Sequence, residues 1–290
     1  MTELLRDIRT SWSGDRRIDR ISYLVGFLLV LCGLGHLGVQ AVLGGPWLGP
    51  VSWRKPVTFG LSFGLTVVSV TWAASFLRIG ARVRTALSAA FLGASVTEVV
   101  LISVQAWRGV PSHFNFETGF DVAVTVVLAA GGGVLLIVLG AAFGYSLRSQ
   151  PDLEPTLRLG IRLGFGALMV ALVSGAMMIA LGTSLVRNGD PQAAYHSAGM
   201  FKPVHALAMH GIAYLPGLAW LGRHAGLPDD RWQRLWRIAA AGYLGLIGAS
   251  FTLGSPGVVA WLAVLCLAGL SAAGALPIVV RVLCRRSSSD

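Results

Sequence analysis

Three apolar stretches of this chain each carry a side chain that hydrocarbon tolerates poorly, and those side chains are the places to look for chemistry. Ser95, Glu98 and Gln105 share one face at helical spacing, and Cys32, His36 and Gln40 do the same at i, i+4 and i+8. His210 and Tyr214 form a third such pair, and Asp121 with Thr125 stands near the outer end of a fourth stretch. At 1.5 Å per helical residue, Glu98 lies about 13 Å below Trp107, while His36 and His210 lie about 10 Å in from Leu43 and Pro203. A carboxyl and two imidazoles at similar depth form a set suited to acid–base chemistry. Glu98, with a pKa raised by burial, would exchange the proton, and His36, His210 and Asp121 would serve as its partners. The same histidines would equally suit a bound metal ion or haem.

A second group sits in the stretch Trp107–Asp121, where an arginine, a histidine, two carboxylates and three phenylalanines interrupt the apolar sequence. Rings interleaved with charges suit the membrane–water interface, where rings lie at headgroup depth. His113 and Glu117, at i, i+4, would make a metal-ligand pair if the stretch were helical. Arg108 and Asn115 are candidates for substrate binding, as is Tyr214. Lys55 and Lys202 each precede a proline, and proline near the start of a helix leaves N-terminal amides that attract anions. With Arg54, Arg108 and Arg187 nearby they outline an anion-binding rim, the alternative being lysines that snorkel to the interface. His205 and His210, about 140° apart around a helix, do not suit one metal ion. No phosphate loop, dinucleotide fingerprint, His-Glu-x-x-His or Gly-x-Ser-x-Gly motif occurs.

The elements that must position these residues are membrane spans. Of 290 residues, 54% are hydrophobic and only 12% charged, with a mean hydropathy of +0.70. That is about half the charge of an ordinary soluble domain, so lipid is the solvent. The 37 glycines suit helices that approach closely without a hydrophobic drive. Eight runs have spanning length: 21–43, 57–77, 84–107, 119–147, 163–186, 203–221, 236–253 and 258–283. The sequence thus predicts an all-α integral membrane protein with eight transmembrane helices over residues 21–283. Residues 1–20 form a cytoplasmic N-terminal segment and residues 284–290 a cytoplasmic tail. Counting Lys and Arg on alternate sides gives 18 against 5, which places both termini in the cytoplasm of a cell-membrane protein. The net charge of +10 lies in loops and tails, so nucleic acid is not the expected partner. Three scattered cysteines provide no disulfide framework.

Internal matches suggest a duplication. Lys55-Pro56-Val57 corresponds to Lys202-Pro203-Val204, and Gly93-Ala94-Ser95 with Thr97 to Gly248-Ala249-Ser250 with Thr252. Helices 1–4 (about 21–147) and 5–8 (about 156–283) would then be two parallel four-helix repeats related by a pseudo-twofold along the membrane normal. Where the first copy has Trp107–Gly119, the second has only Gly254–Gly257. Taken together, the expectation is a membrane-embedded enzyme with an outward-opening polar pocket lined by helices 1, 3, 4 and 6. It would act by acid–base chemistry on an amphiphilic or lipid-like substrate with an anionic portion. A proton-coupled transporter using the same Glu/His relay is the first alternative, and a non-catalytic binding or sensory protein the second.

Overall fold

The computed structural model describes residues 17–190, 193–194, 201–251 and 258–284. The expectations for the first sixteen residues, for the Gly254–Gly257 connection and for the extreme C-terminal tail lie outside them. Among the described residues there are eight long helices: α1 (Arg17–Leu43), α2 (Arg54–Ser75), α3 (Ala81–Trp107), α4 (Gly119–Leu147), α5 (Pro155–Arg187), α6 (Lys202–His224), α7 (Asp229–Ser250) and α8 (Val258–Cys284). Each coincides with a run read from the sequence. Seven are long and apolar enough to cross a membrane, so the helices are those of a multi-pass membrane protein. The eighth, α7, falls outside that measure of length and composition. It opens with Asp229, Asp230 and Arg231 and carries Gln233, Arg234 and Arg237 on its next turns. The apolar remainder among the described residues, Ile238–Ser250, covers about 20 Å at 1.5 Å per residue, so the polar first turns of α7 count against it on composition.

Large apolar side chains face outward along α1, including Leu24, Phe27, Leu28 and Leu31. In a soluble protein that surface would be a liability, whereas in lipid it is the expected exterior. The interior is held by close backbone approach. Gly33 of α1 lies directly on Gly60 of α2: a Cβ built at Gly60 would stand 2.7 Å from the Gly33 Cα. Gly60 and Gly64 form a small-xxx-small pair, and Gly160 and Gly164 of α5 form another, seated on Leu215, Pro216 and Gly211 of α6. The α7–α8 pair is as close, with Gly274 against the Leu235 carbonyl and the Ala239 backbone, and Gly242 against Ser271.

The chain order fixes who meets whom. α1 packs on α2 and α3, α3 on α4, α4 on α5, and α6 on α5, α7 and α8; α6 meets the first four helices chiefly through α2. At the end opposite Trp107, Arg78, Gln150 and Asp152 tie the α2–α3 turn to the α4–α5 turn, and Glu154 caps α5 by accepting from the amides of Thr156 and Leu157.

Candidate functional site at the loop end

The segment between α3 and α4 is not helical, so the i, i+4 relation does not place His113 and Glu117 as a ligand pair. Asn115 Oδ1 instead accepts from the Glu117 amide in a local turn, and the Glu117 side chain is exposed. Phe114 is the one non-glycine among the described residues with positive φ, at 60°, a conformation that costs on the order of 1 kcal/mol. Its ring lies on Gly182 of α5, where a Cβ would approach it to 2.3 Å. A residue that inserts a ring into a neighbouring helix from a strained backbone is an anchor for the loop.

The second anchor is Asp121. Its Oδ1 accepts from Gln105 Nε2 at 2.8 Å and from Arg108 Nη1 at 2.6 Å, and its Oδ2 accepts from the Thr118 hydroxyl at 2.5 Å. Arg108 also donates to Gln105 Oε1 and lies over the Phe120 ring. Thr125 closes the arrangement by donating to the Asn115 carbonyl at 3.0 Å. Both oxygens of Asp121 are thereby engaged, and the residue is 1% exposed. Asp121 and Arg108 occupy the positions of a clasp that joins the two ends of the loop.

Two loop residues and Lys55 at the start of α2 form a polar chain. Lys55 Nζ donates to Ser112 Oγ at 3.4 Å, and Ser112 Oγ lies 3.0 Å from His113 Nδ1. Burial and the nearby Lys55 ammonium push the His113 imidazole down to about 3, so it is neutral at physiological pH. Arg54, Lys55 and Lys202 lie within electrostatic reach of one another, which joins the start of α2 to the start of α6. Neither helix start has a side-chain cap. Among the described residues, Ser52 Oγ and Arg54 Nε at the start of α2 and Asn115 Nδ2 in the loop are buried without a hydrogen-bond partner.

Glu98 lies deeper on the same helix as Gln105. It is 5% exposed, and its Oε1 stands 2.9 Å from where a Cβ on Gly131 would be, so the absent side chain at Gly131 makes the niche. No hydrogen bond or ion pair from the described residues reaches it. Ile102, Val124 and Leu128, with Phe59 and Leu101 against them, form an apolar layer; along α3 and α4 this layer lies between Glu98 and the loop. His36 is placed differently. Its Nε2 accepts from Trp107 Nε1 at 3.2 Å, which leaves Nδ1 to donate to the Cys32 carbonyl at 2.8 Å. Trp53 and Trp107 pack beside it. Both ring nitrogens are therefore committed to the protein.

His210 is half-buried on α6, and no hydrogen bond, ring contact or ion pair among the described residues links it with Glu98 or His36. Its neighbour His205 crosslinks α6 to α5 through the Ala171 carbonyl and Ser174. Tyr214 stacks on Tyr243 at 4.5 Å and meets Ser271 Oγ at 2.7 Å, in the α6–α7–α8 interface. Of the residues expected in one pocket, the structure gathers Lys55, Asn115, His113 and Lys202 at the loop end, with Arg108 and Asp121 as the clasp beside them. Glu98 lies beneath, while His36, His210 and Tyr214 belong to other contacts.

The sequence reading passed over Ser52 and Ser112, whose signal was only their adjacency to charged residues. It also passed over a buried ion pair at the opposite end, Arg84 Nε to Asp19 Oδ1 at 3.4 Å, with both side chains under 10% exposed. Both residues flank apolar runs, where charges ordinarily face water. No group of three His, Cys, Asp or Glu side chains converges among the described residues. The chain matches no known protein family, no characterised protein and no solved structure.

Proposed function

We propose that the chain is a membrane-embedded enzyme that receives the anionic end of an amphiphilic substrate among Lys55, Ser112, Asn115 and Lys202. Glu98 serves as its acid–base group. The observation that carries this reading is the Glu98 carboxyl itself: buried on a spanning helix, set in a niche made by Gly131, and unengaged by any described donor. A carboxyl kept in hydrocarbon without a structural partner is costly, and proton exchange with a substrate is the reason for its presence. An amphiphile whose head rests at the loop brings its first carbons to the apolar layer and so towards Glu98. His36 and Asp121 support the site as positioning residues, one through Trp107 and the other through the loop.

The test compares cells producing the wild type with cells producing Glu98→Gln at equal membrane levels. Untargeted lipid profiling should show species that change with the wild type and not with the variant. Identical profiles from the two strains would remove the acid–base role.

A transporter reading draws on the Arg84–Asp19 pair, because α3 then carries buried polar groups at both ends and at Glu98 between them. Proton movement by the wild type, but not by Glu98→Gln, in liposomes without substrate turnover would select it. We further propose the cell membrane as location, both termini cytoplasmic, and α1–α4 and α5–α8 as two copies of one unit. The shared Lys-Pro-Val starts of α2 and α6 and the glycine-mediated α1–α2 and α5–α6 contacts support the duplication. Labelling of Glu117→Cys, in a background lacking Cys32, Cys266 and Cys284, should occur from outside the cell; labelling only from the cytoplasm reverses the orientation.

A further inference from the structure

The polar first turns of α7 have two faces. On one, Trp232 and Trp236 are 2% and 1% exposed. The Trp232 ring lies on Gly222 of α6, where a Cβ would approach it to 2.5 Å, and its Nε1 donates to Asp229 Oδ1 at 3.0 Å, while Trp236 Nε1 donates to the Leu215 carbonyl at 3.0 Å. These contacts fix the rotation of the helix about its axis. The opposite face presents Arg231, Arg234 and Arg237, all exposed. Successive members stand about 60° apart around the helix and about 4.5 Å apart along it, so they form a stripe. No hydrogen bond or ion pair from a described side chain reaches them, although Asp230 stands four residues before Arg234.

Neighbouring helices bring further arginines to the same level. Trp72 and Trp220 meet ring to ring, which sets the α6–α7 turn at the end opposite Trp107, with the α2–α3 turn. Arg223 follows Gly222 there. On α8, the register set by Gly274 on Leu235 and Ala239 and by Gly242 on Ser271, continued for two turns, puts Arg281 level with the first turn of α7. Both arginines are exposed. In the other direction the arginine face runs on into Ala241 and Gly248, again exposed, and a Cβ at Gly248 would meet nothing within 4 Å. One continuous face therefore carries cations at the membrane boundary and small side chains at hydrocarbon depth.

We infer that this face of α7 binds an anionic phospholipid, its phosphodiester against Arg231, Arg234 and Arg237 and its acyl chains along Ala241 and Gly248. A guanidinium fork engages two phosphate oxygens at once, and arginines at the edge of hydrocarbon reach outward to the headgroups. A soluble anion would use the arginines but leave the apolar continuation without a purpose. The inference is independent of the enzyme reading and of Glu98.

The experiment titrates the full chain in detergent with phosphatidylglycerol or phosphatidylcholine and reads bound lipid by native mass spectrometry. The wild type should prefer phosphatidylglycerol, and the preference should shrink as salt rises. Each arginine near the surface contributes about fivefold, so Arg234→Gln should weaken phosphatidylglycerol binding about fivefold and the triple variant Arg231→Gln/Arg234→Gln/Arg237→Gln about a hundredfold. Arg17→Gln/Arg82→Gln/Arg148→Gln removes the same charge from exposed positions at the same end and should bind like the wild type. Equal affinity of the wild type for the two lipids overturns the inference. So does an equal loss in the two triple variants, which would assign binding to the overall charge of that end. Should the α7 triple variant not be monodisperse, Arg234→Gln decides, and unchanged affinity there also overturns it.

Discussion

The α3–α4 and α7–α8 pairs are the corresponding helices of the two proposed copies, and they are built on opposite plans. In α7–α8 the backbones touch: Gly274 sits on Leu235 and Ala239, Gly242 on Ser271, and Ser271 donates to the Ala239 carbonyl at 3.0 Å. In α3–α4 the glycine at the interface, Gly131, meets the end of the Glu98 side chain instead. The matched motifs set Glu98 opposite Leu253, an apolar residue. One pair uses its glycine to bring helices together and the other uses it to house a carboxyl. The first arrangement is close backbone packing and the second leaves room for a polar group, which is the division expected if, as proposed, one copy has kept structure and the other has taken on chemistry.

The sharpest way to break this comparison is overpacking. Gly274→Leu should cost about 3 kcal/mol or more, because the new Cβ meets backbone that cannot move, and should reduce the yield of monodisperse protein. Asp121→Ala should cost about 2 kcal/mol and free the loop, seen as faster proteolysis between Arg108 and Thr118, since Gln105, Arg108 and Thr118 all lose the carboxylate that joins them. Gly131→Ala should cost less than about 1 kcal/mol, for it meets only the tip of a flexible side chain, yet should impair the activity assigned to Glu98. If Gly131→Ala destabilised as much as Gly274→Leu, the contrast would be lost.

A subtler effect concerns pH. His113 in the closed loop titrates at about 3, against an ordinary 6.5 once the loop opens. The open form therefore binds more protons between those values, so loop closure is fully stable above 6.5 and weakens as pH falls, by up to about tenfold per unit. Proteolysis of the loop should accelerate from pH 7 to pH 5 in the wild type. The acceleration should vanish in His113→Gln, and an equal response there would locate the titration elsewhere.

Helix positions were legible because long apolar runs are a strong signal, and α7 was the least legible because charged and polar residues fill its first turns. Glu98 was legible from cost alone. The role of Asp121 was not, since its partners arrive from the end of another helix across a loop whose shape depends on Phe114 and Gly182. His36 shows the same limit: it looked like a proton acceptor until Trp107, 71 positions away, took its free nitrogen.

The clasp has a topological consequence. Gln105 and Arg108 lie before the loop and Thr118 and Asp121 after it, so the loop is a ring closed by non-covalent bonds at its base. Closing a ring costs entropy that grows only slowly with its length. Residues can therefore be inserted beside the exposed Phe116, or the chain cut there, while both strands stay tethered at the base. The loop is the natural place to graft a tag or an epitope without unmaking the helices below.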